Sequence, residues 1–424
     1  MAAGTAAPAK PGAKGQAPVR KRSFLVGTQE VIEGQDYDQT VATYGGSFAN
    51  WSLTATGWLK GIWLDIVGTV ATNSVATVTA SENYPFNILG NIQLNDVNNE
   101  AIFGPFDSYT AMLTNKYGGY FNAEDPCTAA TFYQVALTST NAAAGSFHFS
   151  LWIPLEIVRR DPLGPVASVN NTASLTLVMS LNTATALYGT TPTTGPSVRI
   201  RGTQIFYWEP KATDKAGRPI NQSPPAAGTT QYWTQGNLSL AGGTNNIQLG
   251  TALGYPWRNY LFMLTSGTGG VGSSATRGAS TGGEVAWPDP LIGIKFEANM
   301  LLSQYQKVQW NQRMARDYGY RSINIQGTLP IDTRLATVAA VGTAPAAFLE
   351  PGLEVGVKAI NWNQDFAFQK PGSETRRTYL VTSPGSNWIF NGSLGSAGTL
   401  YSIVNYVAPA GGNKGDTASL TGGQ

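Results

Sequence analysis

Trp58 to Gly68 reads WLKGIWLDIVG, and Trp257 to Gly267 reads WRNYLFMLTSG. The approach to each run is the same: Gly45-Gly46, Thr54-Ala55 and Gly57 before the first, Gly242-Gly243, Thr251-Ala252 and Gly254 before the second. A second apolar run follows in each case behind an aromatic-Pro pair, YPFNILGNIQLN from Tyr84 and WPDPLIGIKFEAN from Trp287. Each is followed by a helical pattern that stops at Tyr117-Gly118-Gly119-Tyr120 and at Tyr318-Gly319-Tyr320. A chain rich in Gly, Ala, Thr and Asn yields short matches freely. A shared order of strand, strand, helix and Gly stop is a stronger demand, and it describes a duplicated domain offset by roughly half the chain.

Outward from these runs the pattern is all-β. Phe147, Phe149, Leu151, Ile153 and Leu155 alternate with His148, Ser150 and Trp152, and Pro154 marks an edge or bulge there. Leu175, Leu177, Met179 and Leu181 repeat the alternation, and Val198 to Trp208 closes the first half as another strand. One helix is expected in each half. In the first, Pro105 suits the N1 position, with Phe106, Tyr109 and Leu113 on one face and Gly118 as the stop. In the second, Ser303 and Gln306 form a capping box and Gly319 ends the run. Many strands with one helix at a matching place predict two consecutive β-sandwiches, each with a helical insertion. The expected boundaries are a flexible basic arm over 1–22, a first sandwich over 23–209, a linker over 210–229, a second sandwich over 230–408 and a flexible tail over 409–424. The linker EPKATDKAGRPINQSPPAAG is stiffened by its prolines.

Of 424 residues only 12 % are charged while 42 % are hydrophobic. A surface so poor in charge relies on neutral polar groups or is covered by other protein, which favours an assembly subunit over a freely diffusing enzyme. Five of the 27 basic residues, Lys10, Lys14, Arg20, Lys21 and Arg22, lie in the arm, which has no acid; the other 22 face 25 acidic residues. The arm is either a solvated tail or a segment that reaches lipid head groups or nucleic acid phosphates. No window has the apolar length of a membrane span, and the N-terminus lacks the apolar region of a signal peptide, so folding in a reducing cytoplasm is expected.

The search for chemistry is mostly negative. A single cysteine, Cys127, excludes an intramolecular disulfide, and a single histidine, His148, leaves no His/Cys cluster for zinc. His148 reads as a surface or interface residue. GTGGVG at Gly267 to Gly272 matches a dinucleotide loop in letters, but Ser-Ser-Ala-Thr-Arg-Gly follows where a helix should begin. The acids Asp65, Glu82, Asp96, Asp107, Glu284 and Asp289 have no spacing that pairs them as glycosidase carboxylates, and Asp65 reads as a strand-end or hydrogen-bonded acid. No catalytic, cofactor or metal residue is assigned. The Gly/Ser/Thr-rich stretch Ser266 to Gly283 and the insertion-like stretch Thr333 to Leu353 read as loops at the exposed ends of a sandwich.

Two strand-rich halves with a helix after NILGNIQLN and LIGIKFEAN, a proline-rich connector and a basic N-terminal arm resemble the double jelly-roll major capsid proteins of tailless icosahedral double-stranded DNA viruses, the tectivirus-like bacteriophages among them. The resemblance covers about Phe24 to Ala408 and is architectural. It implies two eight-stranded jelly rolls side by side and a homotrimer with a pseudo-hexagonal footprint. It further implies an icosahedral shell over an internal membrane, with penton and minor capsid proteins as partners. The arm, Lys10 to Arg22, would lie at the inner face against lipid or DNA. It implies assembly in the host cytoplasm, a place in the virion and no cofactor or small-molecule substrate. The strands after Tyr320 match the first half poorly. A carbohydrate-binding or glycoside-cleaving β-sandwich protein would also account for 11 Trp, 18 Tyr and the neutral loops. A minor virion spike protein would share the fold class.

Overall fold

The computed structural model describes residues 24–69, 80, 81, 83–120, 133, 134, 145–157, 164–168, 174–189, 192, 194–208, 211–220, 229–249, 252–266, 292–297, 299–305, 307–318, 353, 354, 356–362, 379–394 and 397–409. The basic arm, Cys127, Glu82, Glu284, Asp289, the GTGGVG stretch, most of the two loops and all of the 409–424 tail except Pro409, which ends the last strand, lie outside them.

Strands in the first half are β1 (Glu30–Val41), β2 (Trp51–Ser52), β3 (Trp58–Gly68), β4 (Leu89–Asn95), β5 (Ala101–Phe106), β6 (Tyr133–Gln134), β7 (Phe147–Pro154), β8 (Val166–Ala167), β9 (Thr176–Leu181) and β10 (Val198–Tyr207). The second half contributes β11 (Thr229–Leu240), β12 (Gly243–Gln248), β13 (Trp257–Ser266), β14 (Ile292–Phe296), β15 (Asn299–Tyr305), β16 (Val357–Asn361), β17 (Trp388–Leu394) and β18 (Gly398–Pro409). Helices α1 (Phe24–Gly27), α2 (Ser108–Tyr117), α3 (Ala184–Leu187) and α4 (Lys307–Tyr318) interrupt them.

The first half sandwiches β1-β10-β3-β7 against β5-β4-β9-β2, and the second sandwiches β11-β18-β13-β16 against β15-β14-β17-β12. Strand for strand these are the same order, so both halves are eight-stranded jelly rolls. β16, β17 and β18 fill in the second half the places of β7, β9 and β10, the region where the sequences match least. Inward side chains of β3 and β10 (Ile62, Leu64, Ile66, Val198, Ile200) meet those of β4 and β9 (Ile92, Leu94, Leu177, Met179), and both sandwiches belong to one continuous apolar core. Pro154 ends β7 beyond the two residues that β6 covers, on an edge as expected.

The repeated glycines have a conformational cause. Gly45, Gly57, Gly243 and Gly254 all have positive φ, at 71°, 53°, 96° and 98°, a region closed to most side chains. They turn the chain into and out of equivalent strands in the two halves.

Two expected helix starts are corrected. Pro105 is part of β5, not of the helix; Asp107, extended at φ −73° and ψ 164°, is the N-cap, and its Oδ1 accepts from the Thr110 N–H at 2.8 Å. Ser303 is no cap either, because pairing with β14 keeps the backbone extended as far as Tyr305 and α4 begins at Lys307. In both halves a strand, β5 or β15, stands between the apolar run and the helix. All ten residues of α2 are buried, because it lies in the junction between the halves.

Candidate functional site: the junction and the outer sheet

The two jelly rolls are joined edge to edge. β11 pairs in parallel with β5 at Trp233 and Phe103, which makes one eight-stranded sheet of β16-β13-β18-β11-β5-β4-β9-β2. Beside this seam lies a polar network with no access to solvent. Lys116 Nζ, on α2, is 2.8 Å from Glu354 Oε1, just ahead of β16, with the two side chains 0 % and 1 % exposed. Glu354 also accepts from Tyr109 OH at 3.1 Å, while its own N–H donates to Tyr117 OH at 3.0 Å. Burying such a pair is tolerable only where geometry is good and further hydrogen bonds satisfy it, and both conditions hold.

Arg258, buried on β13, donates to the carbonyl of Gly118 at 3.1 Å and to Asn405 Oδ1 at 3.2 Å, and its guanidinium lies 5.7 Å from the Tyr120 ring centre. Gln231 on β11 accepts from Tyr120 OH at 2.8 Å and donates to the carbonyl of Glu156 at 3.0 Å. Thr110 Oγ1 donates to Gln235 Oε1 at 2.8 Å. The landmark tyrosines Tyr117 and Tyr318, at the ends of α2 and α4, meet edge to face at 5.1 Å. Helix end, strand edge and buried charge together hold the halves in one relation.

The outer face of β1-β10-β3-β7 carries acids paired with basic side chains of neighbouring strands. Asp65 on β3 bonds His148 Nε2 on β7 through Oδ1 and Arg201 Nη2 on β10 through Oδ2, the latter at 2.7 Å. Arg199 grips Asp38 with two nitrogens, and that hydrogen bond holds the Asp38 carboxyl below the usual carboxylate range. His148 is thus a part-exposed surface residue hydrogen-bonded to Asp65, on the surface as the sequence suggested, and Asp65 is a hydrogen-bonded acid in mid-strand. Asp96 accepts from the N–H groups of Asn98 and Glu100 in the β4–β5 turn, and Asp107 is the helix cap. Among the described residues no group of three or more His, Cys, Asp or Glu could hold a metal, and no helix is long and apolar enough to cross a membrane. The arm residues Lys10, Lys14, Arg20, Lys21 and Arg22 lie outside the described residues. Sequence reading missed Lys116, Glu354, Arg258 and Gln231.

No family model matches the chain, and no curated protein matches it. Solved structures do. A chain from the atomic structure of Sulfolobus turreted icosahedral virus superposes with a TM-score of 0.56 at 10 % identity, covering 92 % of this chain and 93 % of that one. The crystal structure of that virus's major capsid protein gives 0.52 at 11 % identity, covering 90 % and 97 %. This chain shares their fold. The likeness extends over both jelly rolls, since more than nine-tenths of each chain is covered in the first comparison.

Proposed function

We propose that the chain is the major capsid protein of an icosahedral virus. The observation that carries this reading is the pair of identically ordered jelly rolls fused through one sheet and a buried junction. A shell subunit needs a rigid block and a surface low in net charge, so that many copies pack without self-repulsion. Three chains form a trimer of pseudo-hexagonal outline, and trimers tile the shell over an internal membrane. Other virion proteins, such as pentons, complete it, and assembly takes place in the host cytoplasm. The chain carries out no catalysis. Its divisions are an arm over 1–22, jelly rolls over 23–209 and 230–408, a linker over 210–229 and a tail over 409–424. Lys10, Lys14, Arg20, Lys21 and Arg22 meet an anionic partner, lipid or DNA, on the inner face.

Electron microscopy of the untagged chain with two-dimensional class averages tests this. Three-fold particles with a hexagonal outline are expected. Compact two-lobed monomers would sink the reading.

A further inference from the structure

Four side chains meet at one end of the β1-β10-β3-β7 sheet, where Glu30 on β1 pairs with Tyr207 on β10. Lys60 sits at a register shift between β3 and β10, since Ile205 pairs with Gly61 and Phe206 with Leu59. A bulge re-aims the side chain of the extra residue. Here it brings Lys60 Nζ to 5.5 Å from the centre of the Tyr207 ring. The Leu155 and Glu156 N–H groups both donate to the Lys60 carbonyl, at 3.2 and 2.8 Å, so the backbones at 60 and 156 are fixed side by side. From the second jelly roll, Gln231 Nε2 donates to the Glu156 carbonyl at 3.0 Å.

The side chains stand in a reactive order. Lys60 Nζ touches Glu30 Oε2 and lies 3.5 Å from Glu156 Oε2. Tyr207 OH donates to the other oxygen of that carboxyl, Glu156 Oε1, at 2.6 Å. The Lys60 and Glu156 side chains are 7 % and 5 % exposed, whereas Glu30, at 43 %, opens to solvent. Phe24, itself buried, packs edge to face on the Tyr207 ring at 5.6 Å and helps to cover the cluster. An amine, a carboxyl with a fixed donor on one oxygen and a second carboxylate on the amine are the parts of an amide condensation: nucleophile, polarised electrophile and base.

We propose that Lys60 and Glu156 condense to an isopeptide bond, with Glu30 as the base and Tyr207 OH as the donor to the developing oxyanion. Once Glu30 has taken a proton from Nζ, the nitrogen lone pair attacks Glu156 Cδ, the N–Cδ bond forms and the Cδ–Oε2 bond breaks. The ammonium brings three protons and the amide keeps one. Glu30 passes the other two to Oε2, which leaves as water on the solvent side, and Glu30 ends as the carboxylate it began as. The step consumes no oxidant or co-reactant and happens once per chain, without turnover. Two buried charges become one neutral amide, which removes the cost of holding them out of water. The partners are also positioned before reaction, as an intramolecular condensation requires. The bond closes the chain from Lys60 to Glu156 into a loop and so constrains the unfolded state as a disulfide would, in a protein whose single cysteine excludes one. It concerns the covalent state of the first jelly roll and stands apart from the capsid reading.

Mass spectrometry of the purified full chain tests this. Corrected for any loss of Met1, the intact chain should be one water lighter than its sequence mass. A digest should yield the Lys60 peptide joined to the Glu156 peptide, with no tryptic cleavage after Lys60, and on a denaturing gel the looped chain should run ahead of Lys60→Met. Two variants check the roles. Glu30→Gln removes the base, and Tyr207→Phe keeps the ring but not the hydroxyl. Each should lower the linked fraction about ten-fold or more, in chains purified at the same time after induction and with unchanged circular dichroism. A wild-type chain at its full sequence mass, with Lys60 open to trypsin, would overturn the proposal even if both variants failed to fold. A lost water mapped to any other pair, Lys60 with Glu30 included, would overturn it as well. Wild-type linking in both variants would overturn the roles given to Glu30 and Tyr207.

Discussion

Replacing Lys116 with Met would test whether the junction is held by its buried charges. At 2.8 Å the attraction between Lys116 and Glu354 is worth about 6 kcal/mol at an effective dielectric near 20. Most of that offsets the cost of taking two ions out of water, so the pair itself adds little net stability. Removing one member is different. Lys116→Met takes the Lys116 ammonium away from the buried Glu354 carboxylate, and the expected loss is about 3–5 kcal/mol. Adding Glu354→Gln removes the charge and retains an acceptor for Tyr109 OH, so the double variant should fall within about 1–2 kcal/mol of wild type. Equilibrium urea unfolding followed by tryptophan fluorescence gives all four corners of the cycle. Strong non-additivity is the expected result. A loss under about 1 kcal/mol for Lys116→Met, or two single changes that simply add, would refute the claim that the halves are pinned by this pair.

Gly57→Ala and Gly45→Ala should differ sharply. Both sites have positive φ, but a Cβ at Gly57 would lie 2.1 Å from the Tyr207 carbonyl while one at Gly45 meets nothing within 4 Å. Gly45→Ala should cost about 1–2 kcal/mol and Gly57→Ala more than about 3 kcal/mol, read from urea midpoints. Asp107→Ala removes the α2 cap and should cost about 1 kcal/mol in the same assay. Burial pushes the Tyr37 phenol up to about 12. Its proton is kept in the folded chain and lost in the unfolded one above a pH of about 10, so the stability present below that pH falls as pH rises towards 12. Tyr37→Phe should flatten that decline when unfolding is measured at pH 9 and pH 11.

Duplication was legible because its landmarks are backbone requirements. A glycine forced to positive φ before equivalent strands survives in both halves whatever happens to the side chains around it. The later strands of the second half were harder to see. β16 is a five-residue run, VKAIN, buried at every position, so it shows no alternation. Helix starts went wrong because Pro and Ser letters fit a cap in isolation, while pairing of β5 and β15 with their neighbours keeps those residues extended. The junction was out of reach for another reason. Lys116 and Glu354 are 238 residues apart, and an isolated charge in a sequence does not name its partner. Arg258, near the start of WRNYLFMLTSG, was the one hint: a cation inside an apolar strand pattern needs a buried acceptor set.

The single parallel bridge between β5 and β11 also bears on how the chain is made. On a ribosome the first jelly roll has all its strands once Tyr207 emerges, but the outer edge of β5 stays open until β11 is out as far as Leu240, thirty-three residues later. At about 5–20 residues per second that interval is roughly 2–7 s. For that time each nascent chain presents an unsatisfied row of peptide groups, and on a polysome its neighbours present the same one. Rapid delivery of β11 is then part of what keeps neighbouring nascent chains from pairing with one another.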